Sequence, residues 1–271
     1  MKKKWLVFIF FALLLSSCEK HESRDTIRIV ASPTPHAELL NSLQAEAKEL
    51  GIRLQILPVD DYRIPNRLLL DKQIDANYFQ HQVFLEDECE RYACKDKLAV
   101  IAKVHLEPQA IYSRKFSCLN SLKNQKKLTI AIPVDCTNAE RALRLLEDCG
   151  IIVCKEPKNL NMTAKDVYGK ENRVVNILEV SAPLLVGSLS DVDAAVIPGN
   201  FAIAANLSPR NDSLCLEDLF ISKYTNLVVV RSEDLSSPKI IKLQKLFQSP
   251  SIKSFFDVKY RGDILTITQE S

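Results

Sequence analysis

Short strand-like and helical stretches alternate along this chain, and the alternation runs through twice; nothing else in the sequence constrains the fold as strongly. Thr26–Ala31 alternates in polarity and predicts a first strand. Thr34 is placed to cap a helix with Pro35 at its first position. Leu39, Leu40, Leu43, Ala47 and Leu50 then recur at helical spacing, and Gly51 ends the run. The pattern continues as a strand over 53–59, a short helix over 64–70, a strand over 75–79, a helix over 83–93, and strands over 98–104 and 109–112. After Ser113 it restarts. A strand is expected over 128–132, and a helix over 137–149 in which Thr137-Asn-Ala-Glu140 has the form of a capping box. Strands over 174–180, 194–197 and 226–231 follow, then amphipathic helices over 238–247 and 252–260. This is an α/β chain with largely parallel sheet, in two lobes with a cleft between them.

The N-terminus is of a different kind. Lys2, Lys3 and Lys4 precede an uninterrupted apolar run over 5–15, too short to span a bilayer as a helix. Leu15-Ser16-Ser17-Cys18 follows, and the arrangement resembles the lipobox of bacterial lipoproteins. That resemblance implies a signal peptide over 1–17, a Cys18 thiol carrying lipid, and a polar tether over 18–25. The protein is then expected in the cell envelope, held to a membrane through lipid on Cys18 and facing the periplasm or exterior.

Removing 17 of 271 residues leaves 254, enough for two lobes that each bury a core. Of 36 lysines and arginines three are lost, so 33 face 34 acidic residues. No basic excess remains to hold nucleic acid. Beyond Cys18 there are seven cysteines, an odd number that leaves at least one unpaired. Cys89 and Cys94 are five apart, as are Cys149 and Cys154, and neither spacing is the C-x-x-C of redox or zinc motifs. The spacing does not assign the pairing.

Enzyme and cofactor motifs are scarce. The chain has no G-x-S-x-G, H-E-x-x-H, P-loop or G-x-G-x-x-G, and only six glycines. His36, His81 and His105 lie far apart without ligand spacing, so neither a metal nor a cofactor is called for. Polar and aromatic residues instead gather at the ends of expected strands: Asp61-Tyr62, Asn77 to His81, His105, Asn138 with Arg141, and Asn200. Ligands of open α/β sheets bind at such strand ends.

Several of these stretches closely resemble the successive signatures of the MetQ/NlpA family. They are Ala31-Ser-Pro-Thr-Pro-His-Ala-Glu38, Asp61-Tyr62 with Pro65-Asn66, Asp75-Ala-Asn-Tyr-Phe-Gln-His81, Lys103-Val-His-Leu-Glu-Pro108, Asp191-Val-Asp-Ala-Ala-Val-Ile197 and Gly199-Asn200. The resemblance runs from about Thr26 to about Gly262. It implies a two-lobed periplasmic-binding-protein fold, type II-like, with ligand in the interlobe cleft. It further implies a lipid-anchored substrate-binding protein, not an enzyme, that serves an ABC permease and ATPase, with L-methionine as the usual ligand. The first lobe is expected over 26–113 and 225–271 and the second over 114–224, with crossovers near Ser113 and Tyr224. Another small amino acid or a short peptide fits the same logic. A surface lipoprotein with an adhesion or envelope role is the alternative of a different class.

A free amino acid presents a carboxylate, an ammonium and a side chain. Arg141, in the first turn of its helix, is the candidate for the carboxylate, and the resemblance assigns the same role to the arginine of a Thr-Asn-x-x-Arg stretch. Asn138 and Asn200 are candidate hydrogen-bond partners of the carboxylate or ammonium. Tyr62, Phe79 and His81 are candidate walls for a thioether, which aromatic rings suit. Tyr78 points to the opposite face of its strand, toward core, and His105 is a weaker candidate. Cys136, Glu140 and Pro198 depart from the family pattern beside the site, and the segment 181–187 lacks its expected Gln-Leu-Pro-Arg character.

Overall fold

The computed structural model describes residues 25–155, 162–218 and 222–267. The expected signal peptide, Cys18 and nearly all of the expected tether lie outside these residues. In chain order the elements up to the first crossover are β1 (Thr26–Ala31), α1 (Glu38–Ser42), α2 (Gln44–Glu49), β2 (Arg53–Pro58), α3 (Pro65–Leu70), β3 (Ala76–His81), α4 (Gln82–Arg91) and β4 (Leu98–Leu106). The second lobe comprises β5 (Gln109–Tyr112), α5 (Leu119–Lys123), β6 (Lys127–Pro133), α6 (Cys136–Asp148), β7 (Ile152–Cys154), β8 (Val167–Gly169), β9 (Val174–Val180), α7 (Leu185–Ser188), β10 (Ala194–Pro198), α8 (Gly199–Ala204) and β11 (Cys215–Leu216). The chain then returns through β12 (Thr225–Arg231), α9 (Pro238–Leu246), α10 (Ser251–Tyr260) and β13 (Leu265–Thr266).

Two main sheets result. The first has the order β13-β4-β12-β3-β1-β2 and the second β11-β5-β10-β6-β9. Each keeps a parallel core, β3-β1-β2 and β10-β6-β9, flanked by antiparallel pairs at β12 and at β5. The sheets are therefore mixed rather than largely parallel. The returning strand β12 enters the first sheet from the second lobe, so it runs against both neighbours. Its seven residues are all buried, as a central strand covered on both faces requires.

The sequence predicts the first crossover near Ser113. Strand β5 instead pairs with β10 and β11, so the chain changes lobe through Glu107 and Pro108. A short strand carries no sequence mark of which sheet it will join. The return into β12 follows Tyr224 directly.

Helices cover both faces of each sheet. Leu39, Leu40, Leu43, Leu243, Leu246 and Phe256 pack on one face of the first sheet, and Leu69, Leu85, Cys89 and Cys94 on the other. In the second lobe α6 buries Ala142, Leu145, Leu146 and Cys149 at helical spacing. Its cap is Asp135, whose Oδ1 accepts the Asn138 amide at 3.0 Å, not Thr137. Glu140 consequently completes no capping box and faces Arg144 at 3.3 Å. Gly150, at φ +72°, ends the helix in the left-handed conformation that a side chain would strain. No helix among the described residues is long and apolar enough to cross a membrane.

Candidate functional site

The site lies where the two lobes meet, and a break in strand regularity builds it. Along β12 and β3 the register passes from Leu227 opposite Gln80 to Val228 opposite Tyr78, skipping Phe79. Such a bulge re-aims the residues beyond it. Tyr78 stays in the core, fully buried, with its hydroxyl 2.6 Å from His105 Nδ1. Phe79, Gln80 and His81 line the cleft. A buried amide cluster holds this strand end: Asn66 Nδ2 donates to Gln80 Oε1 at 2.9 Å, and Asn77 Nδ2 and Gln80 Nε2 donate to Asn66 Oδ1 at 2.9 and 2.8 Å. The Pro65-Asn66 motif thus supports the strand from behind rather than facing the cleft.

Tyr62, Phe79, His81, Asn138, Arg141 and Asn200, the six candidates, all line one cavity of about 20 Å³. Two hydrogen bonds cross between the lobes there. Tyr62 donates its hydroxyl proton to Asn200 Oδ1 at 3.0 Å. His81 Nδ1 accepts the Phe84 amide at 3.1 Å, capping α4, which leaves Nε2 to donate to Asn138 Oδ1 at 3.2 Å. Burial, reinforced by the nearby Arg141 charge, lowers the His81 pKa to about 3, so the imidazole is neutral at physiological pH. Tyr62, Phe79 and Phe84 form an aromatic wall with ring centroids 5.7–6.0 Å apart, and Phe201 of the second lobe meets Tyr62 at 5.6 Å. Gly199 permits the close approach: a Cβ there would stand 2.9 Å from the Pro108 carbonyl oxygen.

Sequence reasoning missed the partners of Arg141. Its Nε and Nη2 meet the Glu217 carboxylate at 2.6–3.0 Å, and Nη2 also donates to the Glu107 carbonyl at 2.7 Å. Its Cζ lies 4.1 Å from the Tyr224 ring centroid, a cation–π stack. Among the described residues no hydrogen-bond partner is found for Nη1. Glu217 also accepts the Gln109 amide at 2.9 Å, and Gln109 Nε2 donates to Asn138 Oδ1 at 3.0 Å, so one network fixes both polar candidates of α6. Glu217 and Tyr224 belong to no periodic pattern, and only the fold brings them to α6.

Behind this wall lies a second buried cluster. His105 Nε2 is 2.6 Å and His36 Nε2 3.4 Å from Glu107 Oε1, and His36 Nε2 is 3.0 Å from Asn226 Oδ1. Burial lowers the His36 pKa to about 4 and that of His105 to about 3, and raises that of Glu107. One ligand atom from each of His36, His105 and Glu107 lies within 4.8 Å of the others, so these are the residues that could hold a metal ion. Their separation in sequence concealed the grouping. The two imidazoles are neutral and bonded to Tyr78, Asn226 and Glu107.

Toward solvent the cleft widens to about 380 Å³ between Asp61, Asp87 and Arg91 of the first lobe and Asp135, Cys136 and Pro183 of the second. Cys136 stands 3.3 Å from Asp87 here. Glu140, turned to Arg144, stays out of both spaces. Pro198 lines the inner cavity ahead of α8.

Fold and site together define a two-lobed α/β protein of the periplasmic-binding type, with its binding position between the lobes. The family model described as NlpA lipoprotein matches residues 27–268, and the chain belongs to that family. It is 32% identical to the methionine-binding lipoprotein MetQ of Bacillus subtilis, over 99% of this chain and all of that one. Its structure matches a nutrient-binding protein from Burkholderia cenocepacia bound to methionine, with a TM-score of 0.83 and 34% identity over 89% of this chain and 100% of that one. An ABC transporter periplasmic substrate-binding protein from Coxiella burnetii matches with a TM-score of 0.81 and 33% identity, over the same shares of the two chains.

Proposed function

We propose that this chain captures free L-methionine between its lobes and delivers it to the permease and ATPase of an ABC importer, as a binding protein and not an enzyme. The observation that carries this is the convergence of Arg141, Asn138 and Asn200 with Tyr62, Phe79 and His81 on one cavity, contributed by both lobes. Arg141 Nη1 is the donor for the carboxylate; Arg141 is the sixth residue of α6, beyond the first turn that Asp135 caps. Asn200 and Asn138 pair with the ammonium or carboxylate, and the aromatic wall takes the thioether. A cavity of about 20 Å³ has room for one water-sized group, so an amino acid enters only when the lobes part. Lipid on Cys18 would hold the protein at a membrane of the cell envelope and give it a high effective concentration near its permease.

The wider outer space of about 380 Å³ favours one second reading, a short peptide whose C-terminal residue occupies the inner site with its carboxylate on Arg141. Calorimetry separates the two readings. The purified protein is titrated with L-methionine, other amino acids and methionine-containing dipeptides, beside Arg141→Ala. Heat with L-methionine that the variant loses is expected. Heat only with dipeptides moves the ligand class. Silence across the panel, or an Arg141→Ala variant that binds like the parent, sinks the proposal.

A further inference from the structure

Cys89 and Cys94 take no part in the cleft, yet both are buried, at 7% and 1% exposure. Cys89 sits in the last turn of α4 and Cys94 just beyond it. Between them Ala93 adopts φ +49°, and the Cys94 amide donates to the Cys89 carbonyl at 2.9 Å. This is a Schellman ending, in which the residue of the last turn and the residue after the left-handed position are brought side by side. An apolar contact usually joins those two positions. Here both are cysteines, and their sulfurs stand 3.2 Å apart. A sulfur–sulfur bond of ~2.05 Å asks only that the side chains close the remaining gap.

We propose that Cys89 and Cys94 close a second disulfide in the exported protein, beside Cys149–Cys215. The proposal rests on the export reading of the leader and on local backbone geometry, and is independent of which ligand the cleft takes. The oxidant is a disulfide: a thiol–disulfide oxidoreductase of the exported compartment, or glutathione disulfide. One cysteine thiolate attacks the donor disulfide, forming a mixed disulfide and releasing the first donor thiolate. The other cysteine thiolate attacks the bound sulfur and releases the second. The cysteine pair loses two electrons and two protons, and the donor becomes two thiols.

The order of events follows from burial. In the folded protein the Cys89 thiol is pushed up to about 12, chiefly by burial and then by its neighbour Cys94, so its thiolate is scarce. The bond therefore forms before α4 packs against Leu69, Leu98 and Leu227, and those side chains then shield it from reductant. Its effect is to pin the far end of the helix whose near end carries His81, Phe84 and Asp87 into the cleft.

Trypsin gives a direct test, because it cuts after Arg91, between the two cysteines. The full chain is refolded in glutathione buffers of increasing oxidised fraction, quenched with acid, alkylated with N-ethylmaleimide in denaturant at neutral pH and digested without reductant. The peptide ending at Arg91 is expected to be joined to the one ending at Lys95. Separate, alkylated peptides at every ratio, or either cysteine joined to a different one, overturn the proposal. In Cys94→Ser, Cys89 is expected to be alkylated or trapped as a mixed disulfide with glutathione, which Cys94 is no longer there to resolve, while Cys149–Cys215 still closes. A Cys89 joined there to another cysteine of the chain overturns the proposal.

Discussion

Arg141 and Glu217, 76 residues apart, form a buried ion pair in which Nε and Nη2 of the guanidinium meet the carboxylate at 2.6–3.0 Å. The pair turns Nη1 away from Glu217 and balances a charge that the cleft would otherwise bury alone. Removing one partner of such a pair costs about 3–5 kcal/mol, because the other charge remains desolvated. Glu217→Ala is therefore expected to lower the unfolding free energy in urea by that amount and to weaken amino-acid binding with it. A loss below about 1 kcal/mol would show that the pair contributes little to holding Arg141 in place.

Tyr62 bridges the lobes through a single hydroxyl, bonded to Asn200 at 3.0 Å, while its ring packs on Phe79, Phe84 and Phe201. Tyr62→Phe removes the bond and keeps the packing. One neutral hydrogen bond is worth about 0.5–1.5 kcal/mol, so ligand affinity is expected to fall about 2- to 13-fold. Calorimetry reads this directly. Unchanged affinity would mean that the bridge does not favour the closed lobes.

Much of this was legible in the sequence, for reasons that can be assigned. The strand over 26–31 and the stripe of α6 follow from periodicity, which tertiary packing reinforces. Tyr62, Phe79, His81, Asn138, Arg141 and Asn200 follow from their place at strand and helix ends. Glu217 and Tyr224 were not legible, because their roles depend on which residues the second crossover brings against α6. The pairing Cys149–Cys215 spans 66 residues and depends on β11 joining β5, a two-residue strand without a pattern of its own. The lobe that β5 joins is not legible for the same reason. The cap is Asp135, two residues before the expected Thr137, because Asp and Thr are both good caps.

Three buried histidines set the response to acid. His36, His81 and His105 have folded values of about 4, 3 and 3, against an ordinary 6.5. At pH 5 the unfolded chain therefore binds protons that the folded chain refuses. Stability is full above about pH 6.5 and is lost as pH falls toward 4, by up to about 1.4 kcal/mol per pH unit for each histidine. Glu107, raised by burial, binds its proton more readily when folded and so offsets part of the loss. The urea midpoint is expected to be lower at pH 5 than at pH 7, with a shallower fall in His81→Gln. A midpoint that holds or rises on acidification would contradict the neutral, buried state of these rings.

The Cys149–Cys215 disulfide joins the end of α6 to β11 across 66 residues, and so fastens the helix carrying Asn138 and Arg141 to the strand that leads into Glu217. In the chain-entropy account, closing a loop of this length removes about 4 kcal/mol of freedom from the unfolded chain. Cys149→Ser with Cys215→Ser is expected to lower the unfolding free energy by up to that amount. Because the bond also sets the register of β11 beside Gln109, the double variant should bind its amino acid more weakly at temperatures where it remains folded. Equal affinity in a destabilised double variant would limit the disulfide to stability. Equal stability would mean that the Arg141–Glu217 pair and the β5–β11 ladder hold the two segments together without it.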